Sequence, residues 1–196
     1  MTIRNKTITQ FSICLLLFFN TKLIGQWQPI SVETTANLNE LDFYDEQNGI
    51  VCGLSNKYYK TSDGGQNWEA FTTNEFQFVY TPFDIAYLSN NSIILAGFQF
   101  TPRRQQIIRS TDGGESWTSV FLGANRLFLN KIEFLSLEEG IVVGDGGTIV
   151  KTTDGGATWE TVIAGTSNDL WDLSFADESL GFIAAGTQYL KTSDGG

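Results

Sequence analysis

The chain has 196 residues, with 22 acidic and 12 basic side chains and no histidine. A net charge of −10 opposes binding to nucleic acid phosphates and to anionic lipid surfaces, so the sequence predicts no nucleic-acid partner. The lack of histidine excludes Ser-His-Asp and Cys-His catalysis. Hydrophobic residues make up 41% of the chain and aromatic residues 13%, which is enough for a sizeable core rich in strand-forming side chains.

The first 25 residues are arranged like a secretion signal. Arg4 and Lys6 supply positive charge, residues 11–19 form a short apolar run, and Asn20 ends that run. A bilayer-spanning helix takes about 20 apolar residues, so this run is too short to be a membrane anchor. We expect a cleaved signal peptide over residues 1–25, a secreted or periplasmic protein, and no membrane insertion after cleavage.

One short phrase recurs four times along the rest of the chain. Its pattern is Ser/Thr-x-Asp-x-Gly-x-x-Trp, and the fourth copy has the aspartate and the glycines without the tryptophan. Each copy follows one strand-like run and precedes another, as with residues 148–151 and 159–163, which predicts a hairpin connection. The repeated positions are Asp63, Gly65 and Trp68; Asp112, Gly114 and Trp117; Asp154, Gly156 and Trp159; and Asp194.

These repeated residues suit a tight turn. The carboxylate can accept hydrogen bonds from N–H groups of its own turn, and the Ser/Thr hydroxyl can orient it. The glycines permit positive φ angles, and the tryptophan can bury a large apolar face against the sheet. A calcium loop needs several closely spaced oxygen ligands, whereas each turn offers one carboxylate. We therefore expect structural turns, with no metal and no cofactor.

The spacing of the repeat predicts the fold. Successive aspartates are 40–49 residues apart, and each interval has room for four short strands. A repeat of this length built from strands is typical of a β-propeller, with one blade per repeat. The sequence predicts an all-β chain over residues 26–196, made of four-stranded antiparallel blades. The expected blades cover about 37–72, 83–121, 129–163 and 170–196.

Residues 27–32 resemble the outer strands that begin at the repeated tryptophans, so we interpret them as an orphan outer strand. The fourth blade has no tryptophan strand of its own after Asp194. We expect a truncated open arc of three full blades and a partial one. A four-bladed ring closed by residues 27–32 is the alternative.

The repeated phrase resembles the Asp-box, or bacterial neuraminidase repeat, of sialidases, xyloglucan-hydrolysing propellers, sortilin-type receptors and photosystem II stability/assembly factors. Residues 140–159, GIVVGDGGTIVKTTDGGATW, are most similar to the assembly-factor repeat. The resemblance covers roughly residues 37–196. It implies Asp-boxes at the periphery of a propeller, away from its functional face. It also implies a non-catalytic binding or assembly scaffold, in photosynthesis, that contacts its client through a basic arginine patch.

One segment could supply such a patch. Phe98, Phe100, Arg103 and Arg104 combine aromatic and basic side chains in an acidic protein. We expect them on a long loop over Gln99–Arg104, contacting a protein or glycan partner. Arg109 is a further candidate for the patch. An elongated hairpin with no partner is the alternative.

Two other functions stay open. A glycoside hydrolase of the xyloglucanase or sialidase-like type needs two carboxylates that face each other across a sugar. The inner strands offer acidic candidates for that pair, although solvated acids at the strand ends would look the same, and the Arg-Ile-Pro phrase of sialidases is absent. These candidates are Glu40, Asp42, Asp84, Glu133 and Asp172. A cell-surface adhesin-like protein is the third possibility.

Overall fold

The structure, a computed structural model, describes residues 29–30, 32, 34–35, 37–53, 57–71 and 79–196. These residues form fifteen β-strands and one short 3-10 turn, Asp145–Gly147. The expected signal peptide over residues 1–25 lies outside the described residues, as does much of the orphan strand expected over 27–32. Within the described ranges, no helix is long and apolar enough to cross a membrane.

The strands form four antiparallel sheets, each an up-and-down meander, which we call blades one to four. Blade one contains β1 (Leu38–Phe43), β2 (Gly49–Gly53), β3 (Lys57–Thr61) and β4 (Glu69–Phe71). Blade two contains β5 (Val79–Tyr87), β6 (Ile93–Phe100), β7 (Arg103–Ser110) and β8 (Thr118–Asn125). Blade three contains β9 (Leu129–Phe134), β10 (Gly140–Gly144), β11 (Thr148–Thr152) and β12 (Glu160–Ile163). Blade four contains β13 (Asp172–Phe175), β14 (Gly181–Ala185) and β15 (Gln188–Thr192).

The first strands of consecutive blades lie side by side. Strand β1 contacts β5, β5 contacts β9, and β9 contacts β13. The first strands therefore line the inside of an arc, and the last strands lie on its outside. The predicted all-β fold is confirmed: antiparallel blades form an open arc, with three full blades and a partial one.

The hydrophobic core lies between neighbouring blades. Strand β10 is buried along its whole length, and β6 is buried except at Phe100. Both strands read as continuous apolar runs because a blade packs against each of their faces. Strand β14 instead alternates between buried and exposed positions, so one face of blade four is open in the described chain.

The predicted loop over Gln99–Arg104 is wrong. Strands β6 and β7 continue through it, with Gln99 paired to Arg104 and Phe100 paired to Arg103. Only Thr101 and Pro102 form the turn, as the elongated-hairpin alternative requires. The wide spacing between the first two aspartates thus reflects the eight-residue strands β6 and β7, whereas β10 and β11 have five residues each.

Candidate functional site

The arc has two distinct faces, because successive turns of an antiparallel meander alternate between the two edges of the sheet. One edge carries the turns between first and second strands and the repeated Asp turns. The two kinds of turn are hydrogen-bonded to each other. In blade three, for example, the N–H of Gly155 donates to the carbonyl of Glu138 (2.9 Å). We call this edge the Asp-box face; in the three full blades it comprises residues 44–48 and 62–68, 88–92 and 111–117, and 135–139 and 153–159. The opposite edge is the hairpin face, comprising residues 101–102, 126–128, 145–147 and 164–171.

On the Asp-box face, each turn depends on a buried hydroxyl. In blade three, the buried Thr152 Oγ1 accepts a hydrogen bond from Gly156 N (2.9 Å) and donates one to Asp154 Oδ1 (2.8 Å). The Asp154 carboxylate then accepts from the N–H of Thr158 (2.9 Å) and from its hydroxyl (2.6 Å). Gly155 and Gly156 have φ angles of 68° and 80°, which glycine adopts without strain.

The same network recurs in the other blades. The matching donor and acceptor groups belong to Thr61, Asp63, Gly65 and Asn67; to Ser110, Asp112, Gly114 and Ser116; and to Thr192, Asp194 and Gly196. The backbone N–H of Asn67 holds the pKa of Asp63 at about 2, and the hydroxyl of Thr158 holds the pKa of Asp154 at about 2. Sequence reasoning gave the hydroxyl a local hydrogen bond and an orienting role, and missed that in the three full blades it is a buried acceptor of the turn.

The tryptophan of each full blade closes the turn. The indole N–H of Trp159 donates to the carbonyl of Gly156 (3.2 Å). Its ring meets that of Phe134 edge to face, with centroids 6.1 Å apart. The ring of Phe134 in turn covers Gly140, where an added Cβ would lie 2.8 Å from it. Blade one repeats this stack with Phe43, Gly49 and Trp68.

In the three full blades, a basic residue directly before the Ser/Thr joins one blade to the next. Arg109 Nε donates to the carbonyl of Gly155 in blade three (2.9 Å), and Lys151 Nζ donates to Gly195 in blade four (2.9 Å). Lys60 Nζ likewise donates to the carbonyl of Gly113. The signal for this contact, a Lys or Arg at the same position of all four repeats, was visible in the sequence and was overlooked. Arg109, considered above for a basic patch, instead lies in this inter-blade contact.

The inner strands use their acids in a similar way. Backbone N–H groups of the following blade donate to three carboxylates: Tyr87 to Asp42 (2.7 Å), Ile132 to Asp84 (2.8 Å) and Phe175 to Glu133 (3.3 Å). Asp84 is also 3.0 Å from Lys131 Nζ. Burial raises the pKa of Asp84 and of Glu133. No group of three or more His, Cys, Asp or Glu in the described ranges is arranged to hold a metal ion.

On the hairpin face, the structure brings together three of the four aromatic and basic residues singled out above. Phe100 is 41% exposed, and the guanidinium of Arg103 lies 4.8 Å from its ring centroid, within cation–π range. Phe98 lies beneath them, buried. Arg104 alternates to the opposite face of the hairpin, where its Nε donates to Gln99 Oε1 (3.1 Å).

Two residues that the sequence analysis missed join this surface. The N–H of Arg126 donates to the carbonyl of Arg103 (3.0 Å), which holds the exposed Arg126 beside the hairpin. The ring of Phe128 packs on Phe98 with centroids 4.6 Å apart and remains partly exposed. We call Phe100, Arg103, Arg126 and Phe128 the basic–aromatic patch.

A buried amide holds the patch in place. Gln105 Nε2 donates to the carbonyl of Phe128 (3.2 Å) and to Thr148 Oγ1 (2.9 Å), and its Oε1 accepts from the N–H of Ala124 (3.2 Å). Asp145 Oδ2 accepts from the N–H of Phe128 (3.1 Å). The link between blades two and three is therefore fixed from both sides, and the patch is presented on a rigid support.

Sequence comparison identifies a family. The family model described as photosynthesis system II assembly factor YCF48 matches residues 19–127 and 71–166, which together are more than half of the chain. Photosystem II assembly lipoprotein Ycf48 from Synechococcus sp. (strain CC9902) is 26% identical over 114 residues, covering 56% of this chain and 31% of the relative. The chain thus spans about a third of the length of that curated relative.

Solved structures share the fold. YCF48 from Cyanidioschyzon merolae superposes with a TM-score of 0.63 at 18% identity, over 88% of this chain and 58% of that one. The GH74 xyloglucanase from Xanthomonas campestris superposes with a TM-score of 0.62 at 13% identity, over 87% and 31%. Sequence identities this low show only that the fold is shared. YCF48 and a hydrolase both have this fold.

Proposed function

The chain belongs to the photosynthesis system II assembly factor YCF48 family, and from this membership we propose that it is a non-catalytic scaffold that binds a protein partner during photosystem II assembly. The observation that carries the proposal is the basic–aromatic patch on the hairpin face. Exposed arginine and aromatic side chains on a rigid support are the residue types enriched at protein interfaces.

The distribution of charge supports this patch as the contact surface. Four basic residues make contacts between blades: Lys60, Arg109, Lys131 and Lys151. Arg103 and Arg126 are instead exposed in a chain of net charge −10. Arg103 lies over the ring of Phe100, and Arg126 is hydrogen-bonded to Arg103. A local positive surface on an acidic protein favours a partner with an acidic segment, because complementary charge steers the encounter and fixes its orientation.

The Asp-boxes have a structural role in this proposal. Their aspartates accept hydrogen bonds inside their own turns, and they lie on the face opposite to the patch. The Asp-box residues to which we assign this structural role are Asp63, Gly65, Trp68, Asp112, Gly114, Trp117, Asp154, Gly156, Trp159 and Asp194.

Hydrolysis of a glycan is the weaker alternative. The GH74 xyloglucanase shares the fold with this chain, and a shared fold does not establish a shared activity. Moreover, Asp42, Asp84 and Glu133 each accept a hydrogen bond from the next blade, so three of the five candidate carboxylates already serve the fold. Incubation with xyloglucan is expected to release no reducing sugar, and release above that of a heat-denatured sample would favour a hydrolase. Among the described residues, no contact favours an adhesin.

The proposal includes export by residues 1–25. The Synechococcus relative carries the name lipoprotein, which fits a location outside the cytoplasm. Lipid attachment needs a cysteine just after the apolar run, whereas Cys14 lies inside it. A cleaved signal peptide therefore fits this chain better than a lipid anchor.

Affinity for photosystem II complexes solubilised from Synechococcus membranes tests the proposed function. We expect binding that weakens as salt rises, and that falls at least tenfold in the double variant Arg103→Glu, Arg126→Glu. Lys191→Glu reverses an exposed charge on blade four and is the matched control. Equal affinity of the double variant and the parent, or an equal loss in the control, would contradict the proposal.

A further inference from the structure

A groove of about 840 Å³ opens on the Asp-box face, between blades one and two. Residues from the turns of both blades on this face line it, together with strand β4. In β4, the partly buried Phe71 borders the groove and rests on the buried Tyr58, with ring centroids 5.4 Å apart. A volume of this size is typical of a site for a small organic molecule.

The fold already uses part of the polar lining of the groove. Asp63 and Asp112 accept hydrogen bonds within their own turns, and Lys60 Nζ donates to an Asp-box carbonyl of blade two. Asn48 and Asn67 donate their side-chain N–H groups to an aspartate of their own turn. The Oδ1 atoms of these two asparagines therefore remain available as acceptors.

Four further side chains of the groove have unused polar groups. The carboxylates of Glu69 and Glu115 and the side-chain amide of Asn91 make no hydrogen bond or ion pair within the part of the chain that the structure describes. Asn90 Oδ1 accepts from the hydroxyl of Tyr87 (3.4 Å), which leaves its Nδ2 as a donor. The groove thus offers donors and acceptors together, at the border of an aromatic ring.

This set of polar groups is specific to the junction of blades one and two. The next junction has the same inter-blade contact and the same Asp-box hydrogen bonds, with different side chains around them. The equivalent positions at the two junctions are Asn90 and Leu137, Glu69 and Thr118, and Glu115 and Ala157. The turns form with either set, so the fold does not require the polar side chains of the groove.

Charge and hydrogen-bonding capacity indicate a neutral ligand that is rich in hydroxyls. Lys60 pairs with Glu69 across the ladder, and burial lowers its pKa while the nearby charge of Glu115 opposes that shift. The two unused carboxylates are thus partly compensated, which weakens their attraction for a cation. Sugar hydroxyls donate and accept, so they match carboxylates and amides together. The C–H groups of a sugar ring also suit the negative face of an aromatic ring such as Phe71.

We propose that this groove binds a neutral oligosaccharide, with one sugar ring on Phe71 and hydroxyls bonded to Glu69, Asn91 and Glu115. The site lies on the face opposite to the basic–aromatic patch, so a bound glycan leaves the patch free for a protein partner. The groove holds a ligand in this proposal and takes no part in hydrolysis.

NMR titration of the full chain with cellohexaose and with maltohexaose tests this proposal. We expect at least one sugar to shift the side-chain amide signals of Asn90 and Asn91. The double variant Glu69→Thr, Glu115→Ala, which takes the residues of the next junction, should bind about tenfold more weakly. The double variant Glu138→Ala, Glu160→Ala removes two exposed carboxylates from the same face of blade three and is the matched control.

Three outcomes would overturn the site. These are no binding of either sugar, an equal loss in the two double variants, and groove signals that respond to a tetralysine peptide and to neither sugar, which would reassign the groove to a cationic partner. The variant Arg103→Glu, Arg126→Glu should bind the sugar as the parent does. Sugar binding therefore succeeds or fails independently of the function proposed for the patch.

Discussion

At the scale of single residues, the Asp-box is a turn held by two acceptors of different exposure. The aspartate lies at the surface, whereas the preceding hydroxyl is buried in the three full blades. The pattern of Asp, Gly and Trp was readable from the sequence because each residue type has one dominant use in a turn. The buried acceptor could not be predicted from the sequence, because the folded backbone decides which oxygen accepts the hydrogen bond from the Gly156 N–H.

The buried hydroxyl leads to a stability prediction. Thr152→Val keeps the side-chain shape but leaves the buried Gly156 N–H without an acceptor. We expect the free energy of unfolding to fall by about 1–3 kcal/mol, measured by denaturant titration. Thr153→Val is the matched control, since Thr153 is the exposed neighbour in the same turn. Equal stabilities of the two variants would show that the hydroxyl is dispensable.

The aspartates predict a response to acid. In the folded chain Asp63 and Asp154 have pKa values of about 2, below the ordinary 3.8, so their stabilising hydrogen bonds are present above about pH 4. That stability is lost as the pH falls from about 4 towards 2. Burial raises the pKa of Asp84 and Glu133, so their protonation as the pH falls adds stability and does not contribute to the loss in acid. The melting temperature should hold or rise slightly from pH 7 down to about pH 4 and then drop.

Circular dichroism melts at successive pH values measure this profile. In Asp154→Asn one titrating turn is removed, so the drop below pH 4 should become smaller than in the parent. A melting temperature that falls equally in parent and variant would assign the acid response to other groups.

At the scale of strands and hairpins, the sequence predicted which segments are strands better than where they end. Pro102 and the polar residues around it looked like a loop, because proline is a strong marker of turns. In the structure the turn has only two residues, and Gln99 and Arg104 pair across the ladder. The pattern of polar and apolar side chains along such a short segment could not distinguish a loop from a hairpin, since arginine and aromatic residues occur in both.

The contact between Arg109 and the next Asp-box predicts coupling between blades. Arg109→Met removes the donor to the Gly155 carbonyl and should lower the free energy of unfolding by about 1–3 kcal/mol. Arg109→Lys should retain most of that stability, because lysine makes the same contact at positions 60 and 151. Arg103→Met, at an exposed arginine of the same strand, is the control. Chemical denaturation of the four proteins gives the comparison, and a Lys variant as unstable as the Met variant would refute a specific contact.

At the scale of the whole molecule, the repeat was sufficient to predict blades and their order in an arc. The period of the motif fixes how many strands each unit has, and the apolar runs fix what each strand buries. The contacts between blades could not be predicted from the sequence. Asp84 lies far from Ile132 along the chain, and their approach depends on how two sheets stack.

The basic–aromatic patch illustrates the same limit. Phe100 and Arg103 were identified as neighbours in the sequence, and pairing across the hairpin explains why they meet. Arg126 and Phe128 join them from the link to the next blade, where Arg126 bonds to Arg103 and Phe128 accepts from Gln105. Arg104, adjacent in sequence, lies on the other face because side chains alternate along a strand.

Site-specific photo-crosslinking tests the central claim, that this patch contacts a photosystem II assembly partner. A benzoylphenylalanine in place of Phe100 should crosslink to a subunit of photosystem II complexes solubilised from Synechococcus membranes. The same group in place of Glu115, exposed on the Asp-box face of the same blade, should not. Crosslinks from position 115 and none from position 100 would place the partner on the opposite face and contradict the assignment.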